Sequence, residues 1–448
     1  VQKERVFETA CLDYGCMKSM TAPLNRKMYF LTDPIEDRAK DWLDYKINYQ
    51  ATFAAQLMYP MVDTYEVMPW PDRIYQGLYR IAGTDQKERI PRSYSTQMQT
   101  MVNTLNDIRT SDKKITGTQG IGVLMANSLM FQRFPNHNGY DDPQFSSFYG
   151  QTLPLLKRGI PVELVHMENT PFKETFKGLH ILVMSYSNMK PMKPEYHNYL
   201  ADWVKKGGVL IYCGEDIDPY QTVLEWWNTE GNEYKAPSEH LFEKMNLSRN
   251  PGEGTYRYGK GTVIVMREDP KHFVLKAGND QKYFETIASA YQKKQGIEIE
   301  TKNSFIVERG PYTIAAVMDE SVSKEPLTLS GLYIDLFDKD LPVLTSKQIQ
   351  PGEQGYLYDL NKVSGKIKAK VLCGASRIYD EKVSKQSYSF VAKSPINTTN
   401  VSRVLLPRKP EKIRVNGKEE QPEWDESSKT LLLSFENDPA GVNVSIEW

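Results

Sequence analysis

At 448 residues the chain exceeds what one hydrophobic core usually organises, so roughly two to four domains are expected. Lys+Arg 56 against Asp+Glu 57 gives a formal net charge of −1, which supplies no long-range field for a polyanion and excludes nucleic acid as an expected partner. Aromatic residues at 11% are somewhat rich and suit stacking on sugar faces as well as core filling.

Cys11, Cys16, Cys213 and Cys373 are scattered, with no C-x-x-C pair and no His at metal spacing, so neither a zinc site nor a disulfide framework is expected. Cys213 and Cys373 sit in apolar runs and read as small buried hydrophobes. No run of about 18 apolar residues exists, so no membrane span is expected. The chain opens Val1-Gln-Lys-Glu-Arg5, without an initiator Met or an apolar leader, and reads as an interior cut.

The first segment alternates short strands with a helix. Lys27-Met-Tyr-Phe-Leu-Thr32 is a compact apolar run suited to a buried parallel strand, ended by Asp33-Pro34. Tyr45, Tyr49, Phe53 and Leu57 recur every four residues and predict a helix with one buried face. Thr64 to Met68 follows as a second strand, closed by Pro69-Trp70-Pro71. The order makes a βαβ unit.

A helix from Tyr94 to Ile108, with Met98, Met101, Val102 and Leu105 on one stripe, leads into a second α/β region. Ile121–Ala126, Pro161–Val165, His180–Ser185 and Val209–Cys213 are its buried strands, with helices around Phe148 and Leu200 between them. This alternation predicts an open, doubly wound, flavodoxin-like parallel sheet. Tyr256–Met266 reads as an edge hairpin, and Asp280–Lys294 as a further helix. From Ile297 onward short strands separated by turn residues, among them a strand from Lys366 to Val371, predict a C-terminal β-sandwich.

The run Leu182-Val-Met-Ser-Tyr-Ser-Asn188, the helix Glu195 to Lys206, and Trp203-Val-Lys-Lys-Gly-Gly-Val-Leu-Ile211 resemble the glutamine amidotransferase-like domain of family 42 β-galactosidases. The resemblance implies the C-terminal part of a glycoside hydrolase. Residues 1–85 would be the last strands of a (β/α)8 barrel, 86–118 a linker helix, 119–295 the amidotransferase-like domain, and 296–448 β-sandwich material. It implies a β-linked carbohydrate substrate, no cofactor, and a homo-oligomer, dimer or trimer; it favours a periplasmic or extracellular compartment.

By this resemblance Asp33 ends the seventh barrel strand, where the family carries a catalytic Glu, and Glu66 lies on the eighth, so Asp33 and Glu66 are the candidate catalytic carboxylates. The family's acid/base belongs to the fourth strand, outside these residues. Trp70, Asp72 and Arg73 would contact sugar, and Asp13 and Tyr14 would mark the end of the preceding barrel strand. Each has a plainer reading: a turn former for Asp33, a loop ion pair for Asp72 and Arg73, a core or lid contact for Trp70. His137 and Asp141-Asp142 belong to a polar loop that could reach over the site. Glu66 sits in an apolar strand, so it needs a partner or a cleft.

Two other functions remain open. One is a non-catalytic carbohydrate-binding or oligomerisation module. The other is an amidotransferase-like hydrolase acting through Ser185 or Ser187, although an amidotransferase uses Cys, His and Glu, and Ser185-Tyr186-Ser187 contains no Cys. His166-Met167-Glu168 imitates the His-x-Glu pair on another strand.

Overall fold

The computed structural model describes residues 5–24, 26–32, 41–67, 75–81, 83–130, 145–363 and 368–448. Its fold is mixed α/β with many β-sheets, one of them six-stranded and mostly parallel.

Residues 6–21 depart from expectation, since they form helix α1 (Val6–Thr21) with Asp13 and Tyr14 in its interior instead of at a strand end. Phe7, Ala10, Cys11 and Tyr14 are buried at spacings of three and four, whereas Asp13 is exposed. That is a helical face, invisible when the three-residue apolar run Ala10–Leu12 is read by itself. α1 packs against the next helix and against a strand of the six-stranded sheet.

The βαβ unit forms. Strand β1 (Phe30–Thr32) and helix α2 (Trp42–Leu57) are followed by β2 (Tyr65–Val67), which pairs with β1 in parallel. α2 starts where an Asp41 side-chain oxygen accepts the Asp44 amide at 2.9 Å, satisfying an N–H that has no partner inside the helix. Tyr45, Tyr49, Phe53 and Leu57 are all buried.

A hairpin, β3 (Leu78–Arg80) with β4 (Lys87–Arg89), precedes helix α3 (Arg92–Thr104). α3 props up the C-terminal sheets: Thr96 donates to the Thr399 carbonyl at 2.9 Å and Asn103 to that of Gly374 at 3.0 Å.

The central region runs β5 (Ile121–Met125), α4 (Ser146–Leu156), β6 (Glu163–His166), β7 (Ile181–Met184), α5 (Tyr196–Lys205), β8 (Val209–Cys213), α6 (Pro237–Lys244), β9 (Gly254–Tyr258) and β10 (Gly261–Met266). The sheet order is β6-β5-β7-β8-β10-β9, all parallel except the β9 edge. Gly207 and Gly208 between α5 and β8 are dictated by geometry. Gly207 has φ 122°, a value L side chains avoid, and a Cβ on Gly208 would lie 2.5 Å from the Trp203 ring. Two more helices follow, α7 (His272–Leu275) and α8 (Gln281–Gln295), the latter ended by Gly296 at φ 74°.

The remaining strands form three antiparallel sheets. β11 (Ser304–Arg309), β12 (Tyr312–Val317), β13 (Leu327–Asp335), β14 (Val343–Ile349) and β15 (Gln354–Asp359) make the first. β16 (Lys370–Gly374) begins later than the sequence pattern suggests; Lys366 and Ile367 lie outside the described residues. The final four- and five-stranded sheets close over a core of their own, to which Val404, Leu431 and Leu433 contribute from one and Phe390, Val444 and Ile446 from the other.

The main core is continuous from Phe7 through the six-stranded sheet to Leu405. Arg309 ties the regions together: 1% exposed, it donates to the carbonyls of Leu57, Val62 and Arg109 and to the Tyr65 hydroxyl. Among the described residues no helix is long and apolar enough to cross a membrane.

Candidate functional site

Two places collect the residues singled out by the sequence. The first is the β1–β2 pair. Phe30 and Thr32 are buried, and Thr32 donates to the side-chain oxygen of Gln56 on α2, so this face of the pair rests on the helix. Leu31 and Glu66 alternate to the opposite face, where they are direct cross-strand partners. That face is open: Leu31 is 47% exposed and Glu66 is exposed as well. Glu66 therefore incurs no desolvation cost, and its carboxylate is presented to whatever lies over the pair.

Tyr14 does not end a strand; it clamps one. From α1 its hydroxyl donates to the Leu31 carbonyl at 2.9 Å and meets Thr32 Oγ1 at 2.9 Å. Gln56 escaped the sequence reading because it sits among the buried residues of an amphipathic helix. It is fully buried, and its side-chain nitrogen has no hydrogen-bond partner among the described residues, a situation that costs about 1–3 kcal/mol. An uncompensated donor beneath the end of β1 is a feature that folding alone does not favour. Asp33, Trp70, Asp72, Arg73, His137, Asp141 and Asp142 lie outside the described residues.

The second place is the carboxyl end of the six-stranded sheet. β6 and β7 lie on either side of β5, so the chain reverses its winding there, the position at which open α/β sheets form ligand crevices. Here the loop after β7 occupies it. The Ala126 amide donates to Met189 Sδ at 2.8 Å, and Ser128 donates to the Lys190 carbonyl at 2.6 Å. Lys190, 2% exposed, donates to the Tyr186 carbonyl at 2.6 Å and to Asp218 Oδ2 at 2.7 Å. Burial pulls the Lys190 ammonium down, and Asp218 opposes that.

The serines of this loop are equally committed. Ser185 Oγ accepts the Ser187 amide at 3.0 Å, and Ser187 donates to Asp269 Oδ1 at 2.6 Å. The nearby His197 is bonded through Nε2 to the Tyr186 hydroxyl, and its Nδ1 lies 2.8 Å from His240 Nδ1. His166 and Glu168 diverge: His166 Nδ1 meets Ser19 Oγ on α1 at 2.9 Å, and Glu168 accepts the Asn127 amide at 2.9 Å. Cys213 is the last residue of β8, fully buried, its thiol pushed up by burial. Asp216, at φ 60°, accepts from Ser238 at 2.7 Å and Arg267 at 2.8 Å, and burial raises its pKa. Among the described residues no group of three His, Cys, Asp or Glu could hold a metal ion.

No protein-family model matches this chain, and no curated protein does. Solved structures do show a likeness. The chain is similar to the β-galactosidase from Bacillus circulans sp. alkalophilus at 11% identity and TM-score 0.44, over 79% of this chain and 58% of that one. A GH42 β-galactosidase from G. stearothermophilus aligns at 10% identity and TM-score 0.44, over 80% of this chain and 58% of its own. The β-galactosidase of the Antarctic haloarchaeon Halorubrum lacusprofundi aligns at 12% identity and TM-score 0.44, over 78% of this chain and 55% of its own. The chain thus spans less than two thirds of the length of these structures.

Proposed function

We propose that this chain is the C-terminal portion of a glycoside hydrolase acting on β-linked galactosides or related glycosides through paired carboxylates. The observation that carries the proposal is the open face of the parallel β1–β2 pair. Its other face is seated on α2, and Glu66 stands at the centre of the open one, opposite Leu31. A helix outside and a carboxylate inside is the arrangement of a (β/α)8 barrel wall, whose functional groups gather at the strand ends and the loops after them. In this reading the β1–β2 unit is the end of such a barrel. The six-stranded sheet is the amidotransferase-like, flavodoxin-like domain, the C-terminal sheets are β-sandwich material, and the protein assembles as a dimer or trimer.

Glu66 and Asp33 are the carboxylates assigned here, with Trp70, Asp72 and Arg73 as sugar contacts. A separation of about 5–5.5 Å between the reacting pair belongs to a retaining mechanism, and about 6.5–9.5 Å to an inverting one that admits water. Gln56, with its spare donor under the end of β1, is a natural support for a carboxylate at that end.

Hydrolysis through Ser185 or Ser187 has less support, because the histidine of that crevice is bonded to Tyr186 and His240. The deciding experiment is turnover of aryl β-galactosides by the full-length protein carrying Glu66→Gln or Asp33→Asn. Each is expected to lower kcat by orders of magnitude while the circular dichroism spectrum stays unchanged. Unchanged rates in both variants would overturn the assignment and leave the binding or oligomerisation module as the better reading.

A further inference from the structure

A cavity of about 310 Å³ lies at the amino ends of the parallel strands, the end opposite the crevice described above. It opens where the α1–α2 unit, the six-stranded sheet and β11 meet, contributing Leu12 and Met58, Gly120 and Leu179, and Phe305 respectively. Junctions of this kind and cavities of this size are where proteins bind small molecules. Its floor is apolar: Leu12, Met58, Leu156, Leu179 and Phe305 are buried side chains that all border the cavity.

Its rim is predominantly basic. Lys18, Lys113, Lys114 and Lys177 line it, against Glu163 as the one acidic lining residue. Glu163 is engaged by Lys18. Lys113, Lys114 and Lys177 form no ion pair or side-chain hydrogen bond among the described residues. Across the whole chain the charges nearly cancel, so four lysines around one small cavity are a local concentration and not the overall balance. A cleft with low-dielectric walls focuses such a field on its contents.

We infer that this cavity binds a small amphiphilic carboxylate, its apolar body against the Leu12–Met58–Leu179 floor and its carboxylate among Lys113, Lys114 and Lys177. The two halves of such a ligand match the two halves of the cavity, whereas a sugar would leave the floor without a partner and a bare anion would not reach it. The cavity shares no lining residue with β1 or β2, and the inference does not depend on the glycosidase reading.

The test is isothermal titration calorimetry of the full-length protein with octanoate, with octan-1-ol as the neutral probe of equal length. Saturable binding at one site per chain is expected, at least tenfold tighter for octanoate than for octanol. The triple variant K113Q/K114Q/K177Q, whose exposed side chains are not needed for folding, should weaken octanoate at least tenfold and leave octanol unchanged. Met61→Trp, at a half-exposed position on the cavity wall, should weaken both probes. Absence of octanoate binding, equal affinity for the two probes, or full affinity in the triple variant would each overturn the inference.

Discussion

The carboxyl end of the six-stranded sheet and the open face of β1–β2 are opposite solutions to having polar groups at the end of a strand. In the first, Lys190, Asp218, Ser187 and Asp269 are each 4% exposed or less, and every one has a partner. In the second, Glu66 is exposed, while on the covered face of the pair the buried Gln56 amide nitrogen has no partner among the described residues. A buried charge tolerates nothing less than full pairing, so the closed end reads as architecture. The open face, with its exposed carboxylate, retains chemical capacity.

The sharpest way to break this contrast is Lys190→Met. It leaves Asp218 buried without its cation and should destabilise the protein by about 3–5 kcal/mol in urea unfolding. Pairing it with Asp218→Leu should recover most of that loss. A stability change below about 1 kcal/mol for the single variant would show that the crevice is not held shut by this pair.

Acid should act next, through His166. Burial holds its pKa near 4, against 6.5 ordinarily, so between those values the unfolded chain takes up the proton and the folded one does not. Its contribution is intact above pH about 6.5 and is lost as pH falls toward 4, a penalty of roughly 2–3 kcal/mol at the lower end. The measurement is the difference between wild-type and His166→Gln stability across this range. A constant difference would remove His166 as the acid-sensitive joint between α1 and β6.

A smaller effect belongs to the βαβ unit. Asp41→Ala removes the α2 cap and should cost about 1 kcal/mol. The smallest should come from the open face, where Glu66→Gln is expected to change the unfolding free energy by less than about 0.5 kcal/mol. A large loss there would turn Glu66 from a functional candidate into a structural residue.

Much of the fold was legible in the sequence, because periodicity reports burial directly. Tyr45, Tyr49, Phe53 and Leu57 named the inner face of α2, and the apolar runs at Ile121, Ile181 and Val209 named central strands that are buried on both faces. Residues 6–21 were misread because Ala10–Leu12 is too short a run to carry a period, and the helix shows only when Phe7 and Tyr14 are counted with it. Of the candidate site, Glu66 was legible as a carboxylate in an apolar strand. Gln56 was not, since a polar residue inside an amphipathic helix gives no signal until its neighbours are placed.

The sequence by itself determined most of the segments that become helices and buried strands, because each is marked by an apolar pattern within a few residues. Only the tertiary structure decided which polar groups meet and which face stays open. Ser187 finds Asp269 at 82 residues' distance and Arg309 finds Leu57 at 252. Whether Glu66 is buried depends on how β1 and β2 sit on α2. Pairings of that range depend on the packing of whole elements, and no local pattern encodes them.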